Sequence, residues 1–193
     1  FDTILNPQCI PTTTITYDFS VTDFFGCVNR DSVTIFVNQP PLAVNRVNSI
    51  NANAGILFPS STIATDPDGD TLTITFVSGP NYGTAIVQGD TIIYTPSANY
   101  SGNDTIVFNV CDEGIPPLCD QGIIIINIGN IMPYTSNDSF STEINTEITF
   151  NVMTNDTDYN TNQTIVITFV SPPANGTAID NNNGNINYTP DFN

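Results

Sequence analysis

The feature that most narrows the fold is an echo within the chain. Ile74-Thr75-Phe76-Val77-Ser78 returns as Ile167-Thr168-Phe169-Val170-Ser171, and Gly83-Thr84-Ala85-Ile86 returns as Gly176-Thr177-Ala178-Ile179, about 93 residues later. Tyr94-Thr95-Pro96 reappears as Tyr188-Thr189-Pro190 one residue further on, which puts a single insertion near Asn182. Within the period, Thr71 to Phe76 alternates polar and apolar, so Leu72, Ile74 and Phe76 share one buried face. The same alternation runs through Ile15, Tyr17, Phe19 and Val21, through Val33, Ile35 and Val37, and through Ile106, Phe108 and Val110. Thr, Asn and Ile form about 40% of the residues, which suits short strands joined by Asn-rich turns. An all-β sandwich follows, with no amphipathic helix.

A period of about 93 residues is the length of one seven-stranded Ig-like sandwich. One whole copy is expected over 39–129, with strands A to G beginning near Leu42, Ala54, Thr71, Thr84, Thr91, Asp104 and Gln121. A second copy over 130–193 reaches only its fifth strand. Residues 1–38 have the opposite deficit and read as an F–G hairpin alone. The two ragged ends together make up about one period. They fit a tandem array cut in an arbitrary register, a filament in which each chain donates its hairpin to the next, or a truncated piece.

Composition removes several functions. Nineteen acidic residues stand against two basic ones, Arg30 and Arg46, for a net charge of −17, so a phosphate backbone is repelled and no nucleic-acid partner is expected. There is no His, Lys or Trp, which leaves carboxylates as the only acid–base groups. An enzyme is not expected, and lysine isopeptide cross-links are ruled out. No run of about 18 apolar residues is present, so no direct membrane insertion is expected. No basic-then-apolar leader precedes Phe1, which predicts a targeting segment removed or lying outside this chain. Cys9 with Cys27 and Cys111 with Cys119 form two local pairs, which favours disulfides and an extracellular, oxidising setting. Two free buried thiols are the alternative for Cys9 and Cys27.

Asp66-Pro67-Asp68-Gly69-Asp70 sets three carboxylates at alternate positions around a glycine turn, so hard oxygen ligands can converge on one calcium ion. The loop is not an EF-hand, because Val77 stands where the bidentate Glu belongs. A plain solvated turn is the competing reading. In the second copy, Asp156 and Asp158 fall at the corresponding place without the glycine, so a weaker site is expected there. Asp112, Glu113 and Asp120 lie at the F–G end and Asp23 at the matching place of the first hairpin, as interdomain ligands or solvated loop charges. Ile123 to Ile126 reads as a core strand or one packed against a neighbouring domain.

The strings Ala64-Thr65-Asp66-Pro67-Asp68-Gly69-Asp70-Thr71-Leu72-Thr73, Asn81-Tyr82-Gly83-Thr84-Ala85 and Tyr100-Ser101-Gly102-Asn103-Asp104 resemble the cadherin-like tandem repeats of giant bacterial surface adhesins. The resemblance covers about 40–193. Residues 12–38 look more like the end of a polycystic-kidney-disease-type repeat, and the Cys-Asp ending is similar to repeats of Bacteroidetes surface adhesins. The resemblance implies an extracellular string of sandwiches rigidified by calcium at Asp66, Asp68 and Asp70. It also implies O-glycosylation at Asp-Ser/Thr-apolar triplets, whose acceptors are Thr3, Ser32, Thr71, Thr91 and Thr105.

The resulting expectation is a non-catalytic structural and adhesive segment of a surface fibre. Its expected partners are neighbouring copies or repeats of the same protein, with surface glycans or other cells as further candidates. A carbohydrate-binding sandwich is the alternative function. A hydrolase using Asp66 and Asp70, and a pilus-like subunit that polymerises by strand donation, complete the set.

Overall fold

The computed structural model describes residues 10–168 and 171–192. β1 (Ile15–Thr22) and β2 (Val28–Ile35) form an antiparallel hairpin in unbroken register from Ile15 opposite Ile35 to Thr22 opposite Val28. Among the described residues it packs under no second sheet, and Phe19, Val21, Val28 and Val33 are substantially exposed. Thr3 and Cys9 lie outside the described residues.

The central sandwich comprises β3 (Leu42–Ala43), β4 (Arg46–Ile50), β5 (Ile56–Pro59), a single helical turn α1 (Ser60–Ile63), β6 (Ala64–Thr65), β7 (Thr73–Ser78), β8 (Gly83–Gln88), β9 (Thr91–Pro96), β10 (Gly102–Cys111) and β11 (Cys119–Ile128). One sheet runs β4-β11-β10-β7, the other β5-β9-β8, with β3 and β6 paired beside them. The first strand thus divides its pairing. Its opening residues lie antiparallel to β6, and β4 then crosses to run parallel to β11, with Val47 beside Ile125. The expected strand starts fall within two residues of those observed.

Inward phases close the core as the alternation requires. Ile106, Phe108 and Val110 from β10 and Ile124 and Ile126 from β11 meet Ile92 and Tyr94 from β9, all fully buried. The isoleucine run is therefore split by the pleat. Ile124 and Ile126 point into the core, while Ile123 and Ile125 stand 40% and 36% exposed on the outer face. Cys111 and Cys119 are the last pair of the β10–β11 hairpin and are joined by a disulfide. Replacing both with serine should lower stability by about 2–3 kcal/mol, the chain-entropy value for so short a loop. A denaturant melt of the oxidised and doubly substituted chains measures it.

The second copy forms one sheet of its sandwich. β12 (Ile148–Asn151), β13 (Gly176–Asp180) and β14 (Asn185–Pro190) pair in the order β12-β14-β13, which repeats β5-β9-β8. A bridge between Tyr134 and Thr157 repeats the β3–β6 pairing. Residues 138–142 and 163–168, the counterparts of β4 and of the stretch leading into β7, form no strand. The reason is pairing: β4 bonds only to β11 and β7 only to β10, and the second copy has neither partner among the described residues. The sequence predicts five strands in this copy, and among the described residues those that depend on an F–G hairpin are not formed.

Candidate metal centre

The loop between β6 and β7 gathers three carboxylates at the end of the central sandwich that faces the first hairpin. Asp66 Oδ1 accepts the backbone N–H of Asp68 at 2.9 Å and of Asp70 at 3.1 Å, so its side chain folds the loop over itself. Gly69 supplies the left-handed turn, at φ +81°, that brings Asp70 back. Ligand oxygens of Asp66, Asp68 and Asp70 all lie within 4.8 Å of one another. Asp66 Oδ2 is buried and has no hydrogen-bond partner. A buried carboxylate oxygen without a donor carries an uncompensated desolvation penalty, which a bound cation removes. The donor set is all hard oxygen, as calcium prefers.

The acids repel one another. Asp70 has its carboxyl pushed above the ordinary carboxylate range, first by desolvation and then by the charges of Asp66, Asp112, Asp68 and Glu113. For an acid with a raised folded pKa, the unliganded fold is favoured while the group is protonated. That advantage is lost as pH rises through the raised value. Asp70→Asn should therefore remove the part of the calcium-free stability that falls as pH rises through the Asp70 titration, and leave the chain no less stable at neutral pH. A pH series of thermal melts in chelator checks it.

The linker joins this cluster directly. Gln39 donates its backbone N–H to Asp68 Oδ2 at 2.7 Å and its Nε2 to Asp68 Oδ1 at 3.1 Å. Asn38 Nδ2 donates to Asp112 Oδ2 at 3.1 Å and to the Pro116 carbonyl at 2.9 Å. A crevice of 640 Å³ lies between hairpin and sandwich, lined by Thr14, Phe36, Asn38, Asp68, Asp70 and Ile115 among others.

Most of the remaining acidic candidates accept backbone N–H groups. Asp112, only 3% exposed, accepts the N–H groups of Gly114 and Leu118 and so caps the β10–β11 turn at the same end. Asp23 caps the first hairpin in the same way through the N–H groups of Phe25 and Cys27. Asp120 Oδ2 accepts the N–H of Ala43. In the second copy, Thr157 pairs with Tyr134 as Thr65 pairs with Leu42, so Asp158 takes the place of Asp66. Asn160 and Asn162 then stand where Asp68 and Asp70 stand. Asp156 falls before this loop and accepts the N–H of Ser136. Among the described residues, Asp66, Asp68 and Asp70 are the acidic group close enough to share an ion.

Cys27 is exposed, and its expected partner Cys9 lies outside the described residues. Of the acceptor residues, Ser32, Thr71 and Thr105 are exposed and Thr91 is half-buried, its hydroxyl donating to Asp90.

One further acid is a core residue that the sequence alone does not single out. Asp104, 2% exposed, accepts the Tyr94 hydroxyl at 2.8 Å and the backbone N–H groups of Asn81 and Tyr82 at 2.8 and 3.0 Å. It fastens β10 to β9 and to the loop before β8. Burial, and after it Asp104, pushes the Tyr94 phenol well above its usual range. Its signal was in the alternation, since Asp104 has the inward phase of Ile106, Phe108 and Val110.

Comparison with known proteins agrees with this fold. The human CDH23 EC21-23 structure matches at a TM-score of 0.50 and 19% identity, over 92% of this chain and 65% of that one. Protocadherin Gamma C5 EC1-3 matches at 0.47 and 15%, over 94% and 68%. An endo-fucoidan hydrolase, MfFcnA4 from glycoside hydrolase family 107, matches at 0.40 and 20%, over 94% of this chain and 30% of its own length. This chain thus spans under a third of that hydrolase and about two thirds of the cadherin fragments. A comparison with curated proteins gave no match. The family described as bacterial Ig domain matches 38–125 and again 130–193. With both stretches matched, the chain belongs to the bacterial Ig domain family.

Proposed function

We propose that this chain is a non-catalytic, extracellular structural and adhesive segment, a string of Ig-like sandwiches stiffened by calcium at the joint between the first hairpin and the central sandwich. The observation that carries the reading is the convergence of Asp66, Asp68 and Asp70 beside the linker, with Asp66 Oδ2 buried and unbonded. Asp66, Asp68 and Asp70 would hold the ion, which takes about six to eight oxygens, so backbone oxygens or water complete the shell. Bound there, it neutralises like charges that lie well within a Debye length and otherwise push the loop away from the linker. Gln39 and Asn38 would then tighten on Asp68 and Asp112. Domains are assigned as a hairpin over 1–38, a whole sandwich over 39–129 and the second copy over 130–193. Glycans on Ser32, Thr71 and Thr105 would sit on exposed surface.

Within such a string, a tandem array fits better than donation of the first hairpin to a neighbour. Aligned on their capping residues Asp23 and Asp112, β1 carries Ile15 where β10 carries Asp104. Tyr188, the counterpart of Tyr94, now bonds to the Asn175 carbonyl at 2.6 Å, and only a strand of the β10 type offers it an acid. Small-angle scattering of the whole chain tests the calcium reading. Calcium should lengthen and stiffen the particle, and Asp68→Asn should abolish the change. Identical scattering curves in calcium and in chelator would reject it.

A further inference from the structure

The second joint uses the same loop with different chemistry. The Ile131 N–H donates to Asn160 Oδ1 at 2.8 Å, as the Gln39 N–H donates to Asp68 Oδ2 at 2.7 Å, which fixes Asn160 as the counterpart of Asp68. Asp158 Oδ1 accepts the Asn160 N–H at 2.8 Å, as Asp66 accepts that of Asp68 at 2.9 Å. Two carboxylates of the first joint are thus amides in the second.

We propose that the joint between the central sandwich and the second copy is locked by side-chain amides that stand in for a cation, so that it holds its geometry when calcium is removed. The amides face acceptors. Asn160 Nδ2 donates to the Asn99 carbonyl at 3.0 Å, and Asn162 Nδ2 donates to the Ser101 carbonyl at 2.6 Å. Asn162 Oδ1 lies 3.4 Å from both the Ser101 N–H and its hydroxyl, and Gln163 Nε2 donates to that hydroxyl at 2.6 Å. The Thr161 N–H adds a bond to the Asn99 carbonyl at 3.1 Å.

An ionised carboxylate accepts and cannot donate. Aspartates at 160 and 162 would set oxygen against the Asn99 and Ser101 carbonyls, an arrangement that needs a cation between them. An amide carries donor and acceptor on one planar group, so it bridges the gap directly. Asn160 is 2% exposed and Ser101 6%, so water competes little at these two residues, which Asn162 and Gln163 reach from exposed positions. The receiving loop is itself held: Asn99 donates its N–H to Asn53 Oδ1 at 2.7 Å and accepts Asn53 Nδ2 at 3.0 Å. The joint is therefore tied into the central sandwich. Thr161 replaces Gly69 and is not among the residues with positive φ, so the loop opens toward the preceding unit where Asp70 curls back onto Asp66.

The contrast between joints rests on the calcium reading of the first, whereas the contacts at the second do not. Hydrogen exchange on the whole chain, in calcium and in chelator, separates the two. Protection of the Thr161 and Ser101 amides should be the same in both conditions. Asn162→Ala should raise exchange at both amides about tenfold in either condition. The milder Gln163→Ala should raise it less, and the amides of Ile106 and Ile124 report that the central sandwich is still folded. Faster exchange at Thr161 and Ser101 on chelation of the unaltered chain would overturn the proposal, as would unchanged exchange in Asn162→Ala. If calcium altered neither joint, the amide lock would stand and the calcium reading of the first joint would fall.

Discussion

Replacing Asp104 with alanine is expected to destabilise the central sandwich by about 3–5 kcal/mol, enough to unfold a domain of ordinary marginal stability at moderate temperature. Four donors lose this acceptor at once: the Tyr94 hydroxyl and the N–H groups of Asn81, Tyr82 and Thr105. Tyr94 is fully buried, so water cannot substitute without opening the core. Asp104→Asn should cost less, because the amide keeps one acceptor oxygen. Phe108→Ala provides a comparison of similar size by a different route, through an apolar cavity. Far-UV circular dichroism melts of the three variants rank them. An Asp104→Ala chain that melts with the parent would contradict the role given to this carboxylate.

Gly83→Ala should cost about 3 kcal/mol, the upper end of what overpacking imposes. A Cβ built there lies 2.6 Å from the Thr95 carbonyl oxygen and 2.7 Å from the Tyr94 ring, and the first of these is backbone that cannot swing aside. The second copy repeats the constraint. A Cβ at Gly176 would lie 2.5 Å from the Thr189 oxygen and 2.7 Å from the Tyr188 ring. The Gly-Thr-Ala-Ile echo is thus a packing requirement of a tyrosine laid across the neighbouring strand. Gly83→Ala melting like the parent, by the same circular dichroism measurement, would show that the strands part more easily than their hydrogen bonds imply.

Much of the fold was legible because period-two alternation and the echo of about 93 residues depend on local chemistry that a strand must satisfy. Leu42, Thr91 and the others mark strand starts within two residues of those observed. What local chemistry cannot carry is pairing. Residues 166–168 repeat the opening of β7, with Ile167-Thr168 for Ile74-Thr75, and form no strand, since β7 exists through β10. The acidic loop was legible as a run of alternating aspartates, and the structure adds the linker amides of Asn38 and Gln39 that close on it. The amide loop of the second copy was not legible. Its register follows from the Tyr134–Thr157 bridge, and Asn in a loop is an ordinary turn former until its partners are known. The inward role of Asp104 is hidden for a related reason. Its triplet reads as an exposed acceptor motif, and only the phase of the strand turns it inward.

The most direct test of the account is a calcium titration of the whole chain by calorimetry, run beside Asp70→Asn. The account predicts saturable binding in the parent that is weakened or lost when the Asp66, Asp68 and Asp70 set is broken. Heats indistinguishable between the two chains would contradict it.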